Sequence, residues 1–139
     1  MSKDAKLAMK AEVESLREIF ENCGGLNWSH KVGWRSLVNS AEGYVEGKLH
    51  GVAFHPDGLV KAIDLSSNNL NGKISKSLGN LSHLEVLILC QNQLKQTVPE
   101  SLSKLKSCKI LDLSRNYFVN QVPRGFNGSS LVSLETLNL

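Results

Sequence analysis

An α/β solenoid behind an N-terminal helical cap is the fold class this sequence predicts, and three observations predict it. The segment from Leu84 to Leu105 places Leu84, Leu87, Leu89, Leu94, Val98, Leu102 and Leu105 around Asn92. The same frame stands before it, as Val60, Ile63, Leu65, Asn68, Leu70, Ile74, Leu78 and Leu81, and after it, as Cys108, Leu111, Leu113, Asn116, Phe118, Val122 and Phe126. Asn68, Asn92 and Asn116 fall 24 residues apart, a fixed period of the size that stacks one supersecondary unit on the next. The N-terminal residues follow the period of an amphipathic helix instead.

That helix is expected from Asp4 to Asn22. Ala5, Met9, Val13, Leu16 and Phe20 share one face with Ile19 at its edge, while Lys6, Lys10, Glu14, Arg17 and Glu21 lie opposite. Gly24 or Gly25 ends it, since glycine takes the left-handed C-terminal position at little cost. From Asn27 to Gly58 the periodicity vanishes. Trp28, Trp34, Tyr44, Val45, Leu49, Val52 and Phe54 there are read as apolar cover for the first coil, with a short strand at Val52-Ala53-Phe54 and a turn at His55-Pro56-Asp57-Gly58. Residues 1–58 are therefore assigned to the helix and cap, and 59–139 to three full repeats and one partial repeat.

Within each coil the spacing has a physical reason. In Leu87-Ile88-Leu89 the period is two, so the leucines point inward from a short strand and Ile88 points outward. One coil cannot bury its leucines alone; stacked coils pair their strands in parallel and make the leucine columns continuous. Asn92 turns the chain out of the strand, and its amide can satisfy turn backbone that the ladder does not reach. Pro99 keeps a regular helix from starting earlier on the far side. The third coil is longer, and the excess is placed at Asn127-Gly128-Ser129-Ser130. Leu134, Leu137 and Leu139 begin the partial fourth coil, which leads us to expect continuation into further repeats or end-to-end self-association.

The chain has 139 residues, 41% hydrophobic and 21% charged, as one globular unit does. Its formal net charge is +3, with Lys and Arg spread along the sequence, which does not point to nucleic acid or an acidic membrane. No apolar run spans a bilayer and no signal-peptide core opens the chain, so a cytoplasmic location is expected, or an extracellular one if a signal segment has been lost. Cys23, Cys90 and Cys108 form no CxxC pair and leave one odd, in keeping with a reducing compartment. The sequons at Asn27, Asn80 and Asn127 are expected to be idle without secretion.

Ser15-Leu16-Arg17-Glu18-Ile19-Phe20 through Gly24-Gly25-Leu26-Asn27-Trp28, then Gly33-Trp34, Gly51-Val52, Asp57-Gly58 and Ile63-Asp64-Leu65-Ser66-Ser67-Asn68-Asn69-Leu70-Asn71-Gly72-Lys73-Ile74, resemble the N-terminal cap and first repeat of the plant-type leucine-rich repeat family. That family includes receptor-like kinases, receptor-like proteins and polygalacturonase-inhibitor-type proteins. The resemblance implies a right-handed, horseshoe-shaped solenoid with its parallel strands on the concave face and a role in protein recognition. Secreted members carry a cap cysteine pair, one of them where this chain has Phe54. The family's L-x-G-x-I-P signature keeps Gly72 and Ile74 with Ser75 for proline, whereas Pro99 and Pro123 stay while Gln96 and Asn120 replace the glycine, so a less regular convex turn is expected.

The outward strand positions are Ala62, Asp64 and Ser66; Val86, Ile88 and Cys90; Ile110, Asp112 and Ser114; and Thr136 and Asn138. Among them Ala62, Asp64, Val86, Ile88, Cys90, Ile110, Asp112 and Ser114, with Arg115 at the rim, are the candidate partner-binding residues. Asp64 and Asp112 stand two strands apart, about 9.5 Å by the usual strand spacing, at the outer edge for an inverting carboxylate pair. An open sheet has no walls to raise a carboxyl pKa, so no catalytic residue is assigned. His30, His50, His55 and His83 lie in different cap and loop segments without metal-ligand spacing, and neither a metal nor a cofactor is expected. Cys90 is read as an exposed thiol without an activating histidine, and Cys108 as core. A non-catalytic module that binds a protein or peptide, in a receptor-like or signalling chain, is the favoured function. The alternative is a structural or inhibitory repeat protein of polygalacturonase-inhibitor type, carbohydrate-associated, although no aromatic row lines the strand face.

Overall fold

A computed structural model describes residues 2–40, 48–119 and 122–139. Helix α1, Lys3–Asn22, starts where the Ser2 hydroxyl accepts the Ala5 N–H at 3.1 Å. It stops because Gly24 adopts φ 67, which decides between the two glycines. Its buried face is Glu12, Ser15, Leu16, Ile19 and Phe20, rotated toward Ile19 from the expected one, and Ala5, Met9 and Val13 are only half-buried. Two polar residues cause the rotation. The Glu12 carboxylate accepts the Val60 N–H at 2.7 Å, and the Ser15 hydroxyl reaches the Ser77 carbonyl at 3.1 Å, so helix and first coil share hydrogen bonds.

Phe20, Trp28 and Trp34 close one end of the core. Their rings lie 5.2 Å (Phe20 to Trp28), 4.9 Å (Trp28 to Trp34) and 6.1 Å (Phe20 to Trp34) apart. Each indole N–H is satisfied, by the Cys23 carbonyl at 2.8 Å and the His50 carbonyl at 2.9 Å, as large buried aromatics with a polar handle require. Trp34 opens a second helix, α2 (Trp34–Asn39), in the stretch expected to be irregular; at six residues it is too short to show a period. Leu49 is buried as expected, Val52 is half-buried, and Phe54 is 45% exposed rather than covering the coil. Tyr44 and Val45 lie outside the described residues.

Strands β1 (Val52–Phe54), β2 (Val60–Asp64), β4 (Val86–Ile88), β6 (Ile110–Asp112) and β7 (Thr136–Asn138) form one sheet in that order. β1 runs antiparallel to β2 and the remaining pairs are parallel. Ile63, Leu87 and Leu111 stand in register, fully buried, with Leu65, Leu89 and Leu113 behind them. A second, two-stranded parallel sheet pairs β3 (Asn71–Gly72) with β5 (Gln93–Leu94). The far side carries short 3-10 turns at Lys76–Asn80, after Ser75, and Glu100–Lys104, after Pro99. In the third coil, buried Leu131 takes the place of Leu105 after a turn at Asn127, whose side chain accepts the Ser129 and Ser130 N–H groups. The extra residues sit where expected. In the partial fourth coil Leu137 and Leu139 are exposed, 41% and 52%.

The asparagines do what their position demands. Asn92 Nδ2 donates to the carbonyls of Leu65, Leu89 and Cys90 at 2.9 to 3.1 Å, and Asn92 Oδ1 accepts the N–H groups of Asn68 and Leu70, both at 3.0 Å. Asn116 repeats the three donations one coil on, to Leu89, Leu113 and Ser114, and its Oδ1 accepts the Leu94 N–H. Each asparagine thus joins its own turn to the preceding coil.

Candidate functional site

Because inward positions are taken by Ile63, Leu87 and Leu111, their neighbours form the outward face. Ala62, Val86, Ile110 and Thr136 make one in-register column, and Asp64, Ile88, Asp112 and Asn138 another. Ser66, Cys90 and Ser114 follow two residues along each strand segment. The face therefore carries a half-buried apolar step, Val86, Ile88 and Ile110, between two carboxylates. β1 extends it, setting Ala53 against Ala62, a contribution the repeat frame alone does not reveal.

The carboxylates are held in place. Asp64 Oδ1 accepts the Ser66 N–H at 3.0 Å and hydroxyl at 2.7 Å, and Asp112 Oδ1 accepts the same pair from Ser114 at 3.0 and 2.6 Å. Asn138 Nδ2 also reaches Asp112 at 3.4 Å. Burial works to raise the Asp112 pKa, but the hydrogen bonds from Ser114, Asn138 and Cys90 together outweigh it and hold the carboxyl below its ordinary range. It is a fixed acceptor rather than a proton donor near neutrality. In the middle coil Ile88 and Cys90 replace the aspartate and serine. Burial, reinforced by the charges of Asp112 and Asp64, pushes the Cys90 thiol up, so it stays protonated and weakly nucleophilic.

Arg115 lies just past the strand, exposed, at φ 55, in the same left-handed turn that Ser67 (φ 49) and Gln91 (φ 57) make in the preceding coils. On the opposite margin Lys61, Glu85 and Lys109 alternate in sign. Lys109 Nζ meets Glu85 at 3.1 Å, and chiefly that hydrogen bond holds the Glu85 carboxyl below its usual range. His55 approaches the same carboxylate at 3.9 Å. The four histidines, expected in separate places, meet as two pairs: His30 stacks on His50 at 5.2 Å, and His55 lies edge-on to His83 at 6.3 Å. All three cysteines are free; burial pushes Cys23 up to about 12 and Cys108, in its leucine position, up to about 11. Among the described residues no helix is long and apolar enough to cross a membrane.

Residues 58–118 match the leucine-rich repeat family. No curated protein sequence matches the chain. Among solved structures, PEPR1–AtPEP1 superposes with a TM-score of 0.77 at 20% identity, over 94% of this chain and 18% of that one, and shows the fold. The Arabidopsis thaliana BIR3–SERK2 complex follows with a TM-score of 0.65 at 26% identity, over 73% of this chain and 54% of the other. The leucine-rich repeat ectodomain of the Arabidopsis thaliana receptor kinase SOBIR1 gives a TM-score of 0.64 at 28% identity, over 92% and 65%. The chain thus spans less than two thirds of each of these neighbours. With the 24-residue frame and the asparagine ladder, residues 58–118 carry leucine-rich repeats, and the chain is similar in structure to the leucine-rich repeat ectodomains of plant receptors.

Proposed function

We propose that the chain is a non-catalytic recognition module that binds a protein or peptide on the outward face of its sheet, through Ala62, Asp64, Val86, Ile88, Cys90, Ile110, Asp112, Ser114 and Arg115. In this reading the sheet is the concave side of a right-handed horseshoe. Residues 1–58 cap the repeats of 59–139, and the bonds from Glu12 to Val60 and Ser15 to Ser77 support that division of labour. The observation that carries the reading is the apolar step of Val86, Ile88 and Ile110, in register and flanked by Asp64 and Asp112, which hydrogen bonds hold ready-oriented. Half-exposed apolar columns on a sheet cost solubility that a partner relieves, and fixed acceptors at their edge orient that partner. The BIR3–SERK2 neighbour, being a complex of two proteins, supports the class. The three free cysteines support a reducing, cytoplasmic setting.

Affinity isolation from the source organism, with the full-length gene product and its Ile88→Lys variant in parallel, tests the proposal. A partner retained by the first and lost by the second supports it. Equal recovery on both contradicts it.

A further inference from the structure

We infer that the flank of the coils, beside the β3–β5 sheet, is a second docking groove, fitted to an extended acidic segment of a partner protein. Its floor is a row of equivalent side chains from three successive coils: Ile74, Val98 and Val122. Lys73 and Lys76 line it in the first coil, Lys104 in the second and Arg124 in the third. Drawn from three coils, they are gathered by the 24-residue period onto one flank. Among the described residues none of these four cations enters an ion pair. The acidic residue lining the groove is Glu100, whose carboxylate is occupied by the Gly125 N–H. Glu18, bonded to the hydroxyls of Ser75, a lining residue, and of Ser77, sets a second carboxylate beside the groove. Four cations against Glu100 and Glu18 leave a local excess of two positive charges.

Charge complementarity therefore asks for an acidic occupant, and the shape narrows its kind. Strands step about 4.8 Å from coil to coil, so the floor runs about 10 Å, the reach of about three extended residues. A groove lined by both apolar side chains and cations suits a peptide that offers apolar side chains and carboxylates together. No aromatic residue lines the groove among the described residues, so it lacks the platform on which a single-stranded base would stack. This surface lies apart from the outward sheet face and does not depend on what that face binds.

A fluorescein-labelled peptide of alternating aspartate and valine, with a lysine–valine peptide as control, tests the groove by anisotropy on the full chain. The aspartate peptide binds and the lysine peptide does not, with affinity falling as salt rises. Lys73→Glu, Lys104→Glu and Arg124→Glu, all at exposed positions, each weaken binding about fivefold at unchanged melting temperature. Ile88→Lys leaves it unchanged. The inference is overturned if the aspartate peptide fails to bind, if the two peptides bind alike, if the reversals have no effect, or if phosphatidylserine vesicles or single-stranded RNA bind these residues more tightly.

Discussion

Asn92 Oδ1 accepts the backbone N–H of Asn68, its counterpart 24 residues earlier, at 3.0 Å, so the residue that sets the repeat also fastens one coil to the next. Asn92→Ala leaves the Asn68 and Leu70 N–H groups and three carbonyls without that partner. The expected loss is at least about 3 kcal/mol in urea unfolding, since each buried orphan costs about 1–3 kcal/mol. Asn116→Ala is expected to cost less, because Asn116 is half-buried and, among the described residues, its oxygen accepts the Leu94 N–H alone.

Leu16→Ala and Phe20→Ala each remove a buried side chain of α1, and Phe20 supports both tryptophans. Each is expected to cost about 2–5 kcal/mol. Urea midpoints unchanged by either substitution would remove the helix from the account of the core.

Glu12 supplies a pH test. Burial foremost raises its pKa, against the opposing Val60 hydrogen bond, so the folded chain holds the proton more tightly than the unfolded one. Its contribution to stability therefore falls as pH rises from the ordinary glutamate range through the folded pKa. Glu12→Gln keeps an acceptor for Val60 and should melt no lower than the wild type at neutral pH, with the difference shrinking in acid. A wild type that outlasts the variant only above that window would reverse the assigned sign.

Gly72 explains why only the first coil keeps the glycine of its signature. A Cβ there would sit 1.9 Å from the Asn22 carbonyl oxygen, because the end of α1 crosses this turn, and φ is 139. Its counterpart Gln96 takes φ 68 and carries a side chain. Gly72→Ala should therefore destabilise the chain by more than about 2 kcal/mol in a denaturant titration, whereas Gln96→Gly should be tolerated.

These residues also mark what could be read beforehand. Leu87, Asn92 and Cys108 were legible because the period repeats their environment three times over. Glu12 and Ser15 were not, because hydrophobic periodicity registers only apolar residues, and these are buried through hydrogen bonds. Helix α2 lies within too few residues to show a period. Lys73, Lys104 and Arg124 are scattered along the sequence and come to one flank only when the coils stack. The outward columns followed directly from the period of two, since Ile88 alternates with Leu87 and Leu89.

The most direct test of the sheet-face reading compares Ile88→Lys with Leu87→Lys. Ile88 stands in register between Asp64 and Asp112, so a lysine there finds opposite charges on both sides and should change stability by no more than about 1 kcal/mol. Leu87, one residue earlier, is 0% exposed, and a lysine there buries an unpaired charge. Thermal melting with titration of the isolated partner should show Ile88→Lys folded but unable to bind, and Leu87→Lys unfolded. An Ile88→Lys chain that is folded and binds as tightly as the wild type would contradict the account.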